Sequence, residues 1–544
     1  MLYKVSLSRL YGPVGAALLS NAYELYIPLF TLATAGFPIA VSRMVSESMS
    51  KGRYKDVRRI KDVAIPFFVI AGVIAFLLMI LFSFFYIRII ESPDSFVSMI
   101  VLAPAILFGC LVSAYRGYYE GMRNMVPTSV SEVVEALVKL LVGYSFAYVV
   151  MNYGKTLFGI TDDRTLLKYS VAAAIFGITL GSFCSFLYIY IRYKIRGDAI
   201  TREMYDAAPA PRKKRETFRI LLRTAIPIGL GALIMSVAGT VDSMLIQRRL
   251  ISMMERIPQE LLAQYPGMIP DEKVADGLVH SYLWGCYSYA LTIMNLVVTV
   301  TQAFGTTALP NVTEAYTKGN KANLKRSMET VMRVTFVFTI PAGLGLTALA
   351  SPIMHVIYGS TDGVDISVEV LKLMGIAVIV MAAATPMCSM LQAVGRVDMP
   401  LKLYTVGMLI KVVSNYIFCG IPAINVQGGS IGTLLCYTFV IIVSIYVLIK
   451  ETDIVPDLKV AVLKPLAAAV ICIIASWLTF KLLEGIVPAR TTGLLIALVA
   501  AVAAACIVYA VFLLVFRAIT KEDVIMLPKG QKIASLLEKY HLIK

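Results

Sequence analysis

The sequence predicts an all-α, multi-spanning membrane protein, and three observations carry the prediction. First, 58% of the 544 residues are hydrophobic and only 15% are charged, against about a quarter charged in an ordinary soluble domain. Second, the apolar residues come in runs long enough to cross a bilayer as a helix, which takes about 20 residues. Runs such as 64–85 do not alternate, so they are not barrel strands, and helices satisfy their own backbone in lipid. Third, the loops between the runs alternate in basicity. Together these exclude a soluble enzyme and a disordered basic nucleic-acid binder, which would hold few aliphatic residues.

Thirteen spans are expected, at 18–44, 64–90, 97–120, 128–150, 166–192, 218–246, 281–306, 331–357, 367–393, 400–421, 427–449, 459–483 and 491–517. The loops 45–63, 115–128, 192–219, 306–330, 394–402, 450–464 and 517–544 hold 32 of the 50 Lys and Arg against 17 of the 34 acidic residues. Short Lys/Arg-rich loops stay in the cytoplasm, so the C-terminus is expected inside and the thirteen crossings put the N-terminus outside. Almost all of the net charge of +16 is then topology rather than a sign of an acidic partner, and no nucleic-acid role is expected. The first 15 residues lack the apolar core of a signal peptide. The eight cysteines all lie within expected spans, none in a CxxC spacing, and the three histidines are scattered. The cysteines read as small apolar filler, with no disulfide framework, metal site or thiol chemistry expected.

The chain repeats itself. Glu47, Lys51 and Gly52 match Glu314, Lys318 and Gly319 at an offset of 267, and Val57, Arg58 and Arg59 match Leu324, Lys325 and Arg326. Arg123 and Pro127 match Arg396 and Pro400 at an offset of 273. A unit of six helices is even, so both copies run the same way, as in a parallel repeat. The expected organisation is an N-lobe at 1–192 lacking its first helix, a cytoplasmic linker at 193–217, and a C-lobe at 218–449. Two extra transmembrane helices at 450–517 and a cytoplasmic tail at 518–544 follow. The counterpart of span 6 would precede residue 18, so a fourteenth helix is expected upstream.

The segments SRLYGPVG (8–15), LATAGFPIAVSRMVSE (32–47), YRGYYEGMRNMVPTSVSEVVE (115–135) and ITKEDVIMLPKGQKI (519–533) resemble a known family. It is the polysaccharide-biosynthesis and stage V sporulation protein B-like family of the multidrug/oligosaccharidyl-lipid/polysaccharide exporter superfamily. The resemblance implies two six-helix lobes around a central cavity, plus two C-terminal helices, in a bacterial cell membrane. It implies a flippase for an undecaprenyl-diphosphate-linked oligosaccharide, lipid II or a polysaccharide or O-antigen repeat unit, working by alternating access. Arg9 is similar to one of the arginines that murein-precursor flippases carry in their first lobe. Around Thr31, apolar or Thr positions stand where those flippases place an Arg pair.

Charges deep in the bilayer cost at least ~2.5–3.5 kcal/mol and face protein or water. Glu24, Glu135, Lys139, Asp242 and Lys411 are the deep ones. Glu135 and Lys139 form an i,i+4 pair in the favourable order, either a self-neutralised pair or a cavity pair whose lysine meets a diphosphate. Lys139 follows Pro127 by 12 residues and Lys411 follows Pro400 by 11, which offers a lysine at similar depth in both lobes. Ser281, Ser288, Thr292, Asn295, Thr299, Gln302 and Thr306 form a polar stripe on one face of span 7, suited to a hydrated path or to interhelical hydrogen bonds. Arg116 and Arg123 suit headgroup phosphates or plain anchoring. RKKRE at 212–216 reads as a linker touching anionic lipid. Met253, Leu261, Leu262 and Tyr265 suggest a helix lying on the outer face, and 519–544 a short amphipathic helix.

The expected partners are a lipid-linked sugar diphosphate, membrane lipids and the cell-wall synthesis machinery. No cofactor is expected beyond a coupling ion, met by Glu24 and Asp242, or the membrane potential. The alternatives are a cation-coupled drug antiporter of the same superfamily, which would prefer an acidic, aromatic cavity, a membrane polysaccharide polymerase or glycosyltransferase, and a non-transporting scaffold. The enzyme readings would want a large loop with clustered acids or Arg, and 247–280 has no convincing cluster of either.

Overall fold

A computed structural model describes residues 2–198, 200–486 and 491–518, without the side chains of Leu2, Pro227, residues 302–311 and Thr491. The expected tail from residue 519 onward lies outside the described residues. Among the described residues the chain is helical throughout, with no strand. Thirteen helical segments among the described residues are long and apolar enough to cross a membrane, in the order the sequence predicts.

The chain divides into two units, residues 2–248 and the chain from Arg249 onward. The first contains α1 (Leu2–Thr34), α2 (Phe37–Ser50), α3 (Tyr54–Ile89), α4 (Ser95–Gly121), α5 (Val126–Leu157), α6 (Asp163–Arg196), the short α7 (Arg202–Ala207) and most of α8 (Lys214–Arg256). α1 is two helices joined at Gly12, whose φ of 66° and ψ of −172° are essentially reserved to glycine. The span expected to open the second lobe contributes Leu221 and Ala225 to the core of this first unit, alongside Leu7, Leu18, Phe68 and Ile106. Backbone approach makes that packing close: a Cβ on Gly36 would meet the Ala225 carbonyl oxygen at 2.3 Å. A buried polar seam accompanies it. Gln247 Nε2 donates to Asn21 Oδ1 at 3.0 Å, Asn21 Nδ2 to Ser95 Oγ at 3.2 Å, and Ser243 shares a hydrogen bond of 2.6 Å with Tyr86.

The segment between α6 and α8 is strapped down. Arg58 donates through Nε and Nη2 to both Asp198 oxygens at 3.1 and 3.2 Å, and Tyr118 donates to Oδ2 at 2.9 Å. Burial pushes the Asp198 carboxyl up, but the hydrogen bonds from Arg58 and Tyr118 outweigh it and leave the group below its ordinary value. Further along, the Arg212 amide donates to the buried Asp56 at 2.7 Å, and Lys55 to the Ala208 carbonyl at 2.7 Å.

In the second unit, α8 ends and the short α9 (Pro258–Leu262) and α10 (Asp271–Ala275) follow. Here the structure differs from the expected surface helix. Met253 still belongs to α8 and is buried, Leu261 is fully buried, and the Tyr265 hydroxyl bonds Asn425. Leu261 and Ile269 of this connection turn into protein, while Met268 stays exposed. Then come α11 (Val279–Thr317), α12 (Lys321–Ala348), α13 (Ala350–Tyr358), α14 (Val364–Ala393), α15 (Met399–Phe418) and α16 (Gly428–Thr452). The final α17 (Lys464–Glu484) and α18 (Thr491–Val515) pack on each other and on α12 and α13. Tyr509 anchors them by donating to the Val337 carbonyl at 2.8 Å.

Candidate functional site

The Gly12 break decides the local geometry of the first unit. Along a straight helix Lys4 and Tyr23 would stand about 28 Å apart. Instead the Lys4 ammonium lies 4.5 Å from the centre of the Tyr23 ring. Residues 2–11 fold back and fasten to α6, with Tyr3 donating to the Ala174 carbonyl at 2.6 Å and Tyr11 to the Ser170 carbonyl at 2.7 Å. Gly143 makes room for the Tyr3 phenol, since a Cβ there would sit 2.8 Å from its oxygen. One turn earlier on α5, the Lys139 ammonium lies 5.1 Å from the Tyr3 ring and 5.2 Å from the Tyr23 ring. The Tyr23 hydroxyl is buried and has no hydrogen-bond partner among the described residues.

The Glu135–Lys139 pair does not form. Arg116, reaching from α4, takes Glu135 at 3.0 Å and also donates to Ser131 at 2.9 Å and Ser185 at 3.2 Å. A guanidinium with several fixed donors holds a carboxylate better than a flexible ammonium does. Arg116 thus ties α4, α5 and α6 together through Nε and Nη2. Arg9 is exposed. Glu24 lies against Gly239 of α8, where a Cβ would be 2.0 Å from Oε2, and its carbonyl accepts from Thr240. Asp242, two residues further along α8, is buried.

In the second unit Lys411 is 5% exposed and has interaction partners there or elsewhere in the chain. Asn295 is exposed. The stripe on α11 changes environment along its length: Ser281 and Ser288 are buried, while Thr299 is exposed. Its hydroxyls bond back to their own helix, Ser288 to Gly285 at 2.8 Å, Thr292 to Ser288 at 2.9 Å and Thr299 to Asn295 at 2.8 Å, as membrane-helix Ser and Thr commonly do. Gln302 and Thr306 lie outside the described side chains. Among the described residues no group of three or more His, Cys, Asp or Glu could hold a metal.

Residues 1–268 match the polysaccharide biosynthesis protein family, and residues 279–501 match the lipid II flippase MurJ family. The chain belongs to the multidrug/oligosaccharidyl-lipid/polysaccharide exporter superfamily. Among its curated relatives, the lipid II flippase MurJ of Bacillus subtilis (strain 168) is 25% identical over 80% of this chain and 77% of its own. Stage V sporulation protein B of the same organism is 21% identical over 96% and 93%. The fold is similar to that of an inward-facing multidrug resistance MATE family transporter (TM-score 0.65, 15% identity, 83% of this chain and 94% of the other). It is also similar to lipid II flippase MurJ in an inward closed conformation (TM-score 0.54, 16% identity, 94% and 98%).

Within this exporter, sequence reasoning singled out Lys139 but missed the residues around it. Tyr3, Lys4 and Tyr23 precede or sit inside the first expected span, and nothing in their spacing links them. The usable signal was the dipeptide Gly12-Pro13, a strong break in an otherwise helical stretch, because the residue before proline is driven out of the helical region.

Proposed function

We propose that this exporter moves an undecaprenyl-diphosphate-linked oligosaccharide from the cytoplasmic to the outer leaflet by alternating access, with the Lys/Arg-rich loops and the C-terminus in the cytoplasm. The observation that carries the reading is Lys139. It sits 13 residues into α5, about 20 Å along the helix, and among the described residues no carboxylate pairs with it. A cation left unpaired at that depth suits a lipid-linked anion, while the sugar head passes through a polar path and the isoprenyl tail stays in lipid. Family membership and the relatives named as flippases support the same reading. Glu24 and Asp242 are the carboxylates we assign to a coupling cation. A drug-cation antiporter fits less well, because the ring cluster around Lys139 gathers ammonium groups rather than acids.

The test is complementation of a strain depleted of its lipid II flippase, followed by a leaflet-specific assay with purified protein in vesicles. Restored growth and flipping are expected, with flipping at least ~10-fold slower in Lys139→Gln. A protein that flips neither lipid II nor another diphosphate-linked oligosaccharide would sink the reading.

A further inference from the structure

We infer that the first turns of α8 form a docking surface for anionic phospholipid of the cytoplasmic leaflet, built by Arg215, Arg219 and Arg223. The side of the membrane comes from the topology proposed above; the surface itself does not depend on which lipid is transported. Residues 212–226 hold six cations, Arg212, Lys213, Lys214, Arg215, Arg219 and Arg223, against the single acid Glu216. Beyond Arg223 the chain runs to Arg248 with Asp242 as its one charge, which is the length of one bilayer crossing. The three arginines therefore stand at one edge of the bilayer. They recur every four residues, so they share one helical stripe, about 6 Å from each to the next. All three are exposed, and among the described residues none is held by a carboxylate, whereas Arg212 just before them lies 3.8 Å from Asp56.

The neighbouring stripes of the same helix say what covers this one. Thr217, Leu221 and Ala225 are buried, and Leu221 and Ala225 join the core of the first unit. At 100° per residue, Phe218 and Ile226 fall between that buried stripe and the arginines. They are 36% and 47% exposed. Apolar surface left in water is unfavourable, and acyl chains remove that cost. Arginine beside such a surface lays its aliphatic stem along it and keeps its guanidinium at the headgroups. An apolar stripe flanked by a cationic one is the pattern of a helix in the membrane interface. The surface is also held in place. The Arg212 amide donates to Asp56 just before it, and Gly36 receives the Ala225 carbonyl just after it.

The spacing selects the occupant. Each guanidinium can take two oxygens of one phosphate through a planar fork. The outer two arginines stand about 12 Å apart along the helix, too far to close on one diphosphate, whose phosphorus atoms share a bridging oxygen. Three separate headgroups side by side meet three separate forks. A zwitterionic headgroup brings its own cation and returns part of the repulsion, so a headgroup with net negative charge is preferred. A basic side chain next to an anionic leaflet gains roughly 5-fold in association.

The experiment reads lipid contact at one place. Ile226→Cys carries a bimane label in the full chain, with the exposed Cys506 removed as Cys506→Ser. The purified protein sits in nanodiscs of phosphatidylcholine and phosphatidylglycerol, and one lipid or the other carries brominated acyl chains that quench the label. Brominated phosphatidylglycerol should quench about 5-fold more effectively than brominated phosphatidylcholine at equal mole fraction. Arg215→Gln/Arg219→Gln/Arg223→Gln should bring that preference to about 1.5-fold or less, and replacement of all three by Lys should keep about half of it. Arg219→Gln alone should lower it about 2-fold, and carries the test should the triple variant fail to fold. No quenching by either lipid overturns the proposal, because the stripe then faces water or protein. Equal quenching by both lipids, or a preference that survives the triple Gln variant, also overturns it. So does relief of the quenching by farnesyl diphosphate at a lower mole fraction than by unbrominated phosphatidylglycerol, which would make the stripe a contact for a diphosphate lipid. A protein that keeps the arginine-dependent preference but flips no lipid-linked oligosaccharide would lose the flippase reading and keep this surface.

Discussion

The fifth helix of the first unit, α5, and its repeat in the second, α15, start alike and end up in different chemistry. Each follows a matched arginine, Arg123 or Arg396, and each has proline in its first turn. Each carries a lysine at nearly the same depth. Lys139 is partly exposed and lies over two tyrosines, whereas Lys411 is 5% exposed. The spacings from proline differ by one residue, and one residue is about 100° of helix rotation. At the repeat offset of 273 the position of Lys411 corresponds to Val138, and that of Lys139 to Val412. The repeat therefore preserves depth along the helix but not the direction of the side chain. Arg116 sharpens the difference: its counterpart at the same offset is Ser389, which only bonds back to Thr385 at 3.0 Å. One unit has a charged tie across three helices where the other has a hydroxyl.

Breaking that tie has the largest expected effect on stability. Arg116→Ala should cost about 3 kcal/mol, since it removes three hydrogen bonds and leaves Glu135 without its cation inside the membrane. Glu135 is partly exposed, which holds the figure at the lower end. Arg116→Ala/Glu135→Leu should recover most of the loss, because an apolar pair leaves no charge unsatisfied. Thermal unfolding in detergent of both variants is the measurement, and a double variant no better than the single one would show that Arg116 acts through its serine contacts instead.

The span order was legible because it depends on composition and length, which tertiary packing does not alter. The depth of Lys139 and Lys411 was legible for the same reason, as a count from a helix-starting proline. Partner choice was not. The local i,i+4 rule favours Glu135 with Lys139, and only the approach of α4 brings the competing Arg116. Tyr3, Lys4 and Tyr23 meet through a backbone break at one glycine, so no periodicity records their proximity. The end of α8 shows the same limit: its apolar stretch stops near 246, but the helix runs on to Arg256 because Leu250, Ile251 and Met253 find protein to bury against.

The two lysines give the next test. Lys411→Ala should act on stability, costing about 2 kcal/mol, because a group buried with its partners in place leaves those partners unsatisfied. Affinity for inorganic pyrophosphate, a soluble probe of the lipid-linked anion, should stay within about 2-fold of wild type. Lys139→Gln should do the opposite, with unfolding little changed and binding weakened. Equal loss of binding in both variants would mean that the two helices present their lysines to one ligand after all.

The smallest effects compare the straps that follow α6 and α16. In the first, Asp198 is held by Arg58 on two oxygens and by Tyr118. In the second, the Asp457 amide donates to Glu329 at 2.9 Å, with Lys325 at 3.9 Å from the same carboxylate. Asp198→Asn should cost about 1 kcal/mol, the usual worth of a partly buried charge-assisted contact, and Glu329→Gln less than about 0.5 kcal/mol. The pH dependence separates a charge effect from a change of shape. The folded Asp198 carboxyl lies below its ordinary value, so the folded state releases its proton more readily than the unfolded chain does. Its contribution is therefore complete above the unfolded value of about 3.9 and is lost as the pH falls through the lower folded value. The gap between wild type and Asp198→Asn should hold steady from about pH 7 to 5 and shrink below about pH 4. A gap that widens on acidification would mean that the neutral carboxyl, not the ion pair with Arg58, holds the strap.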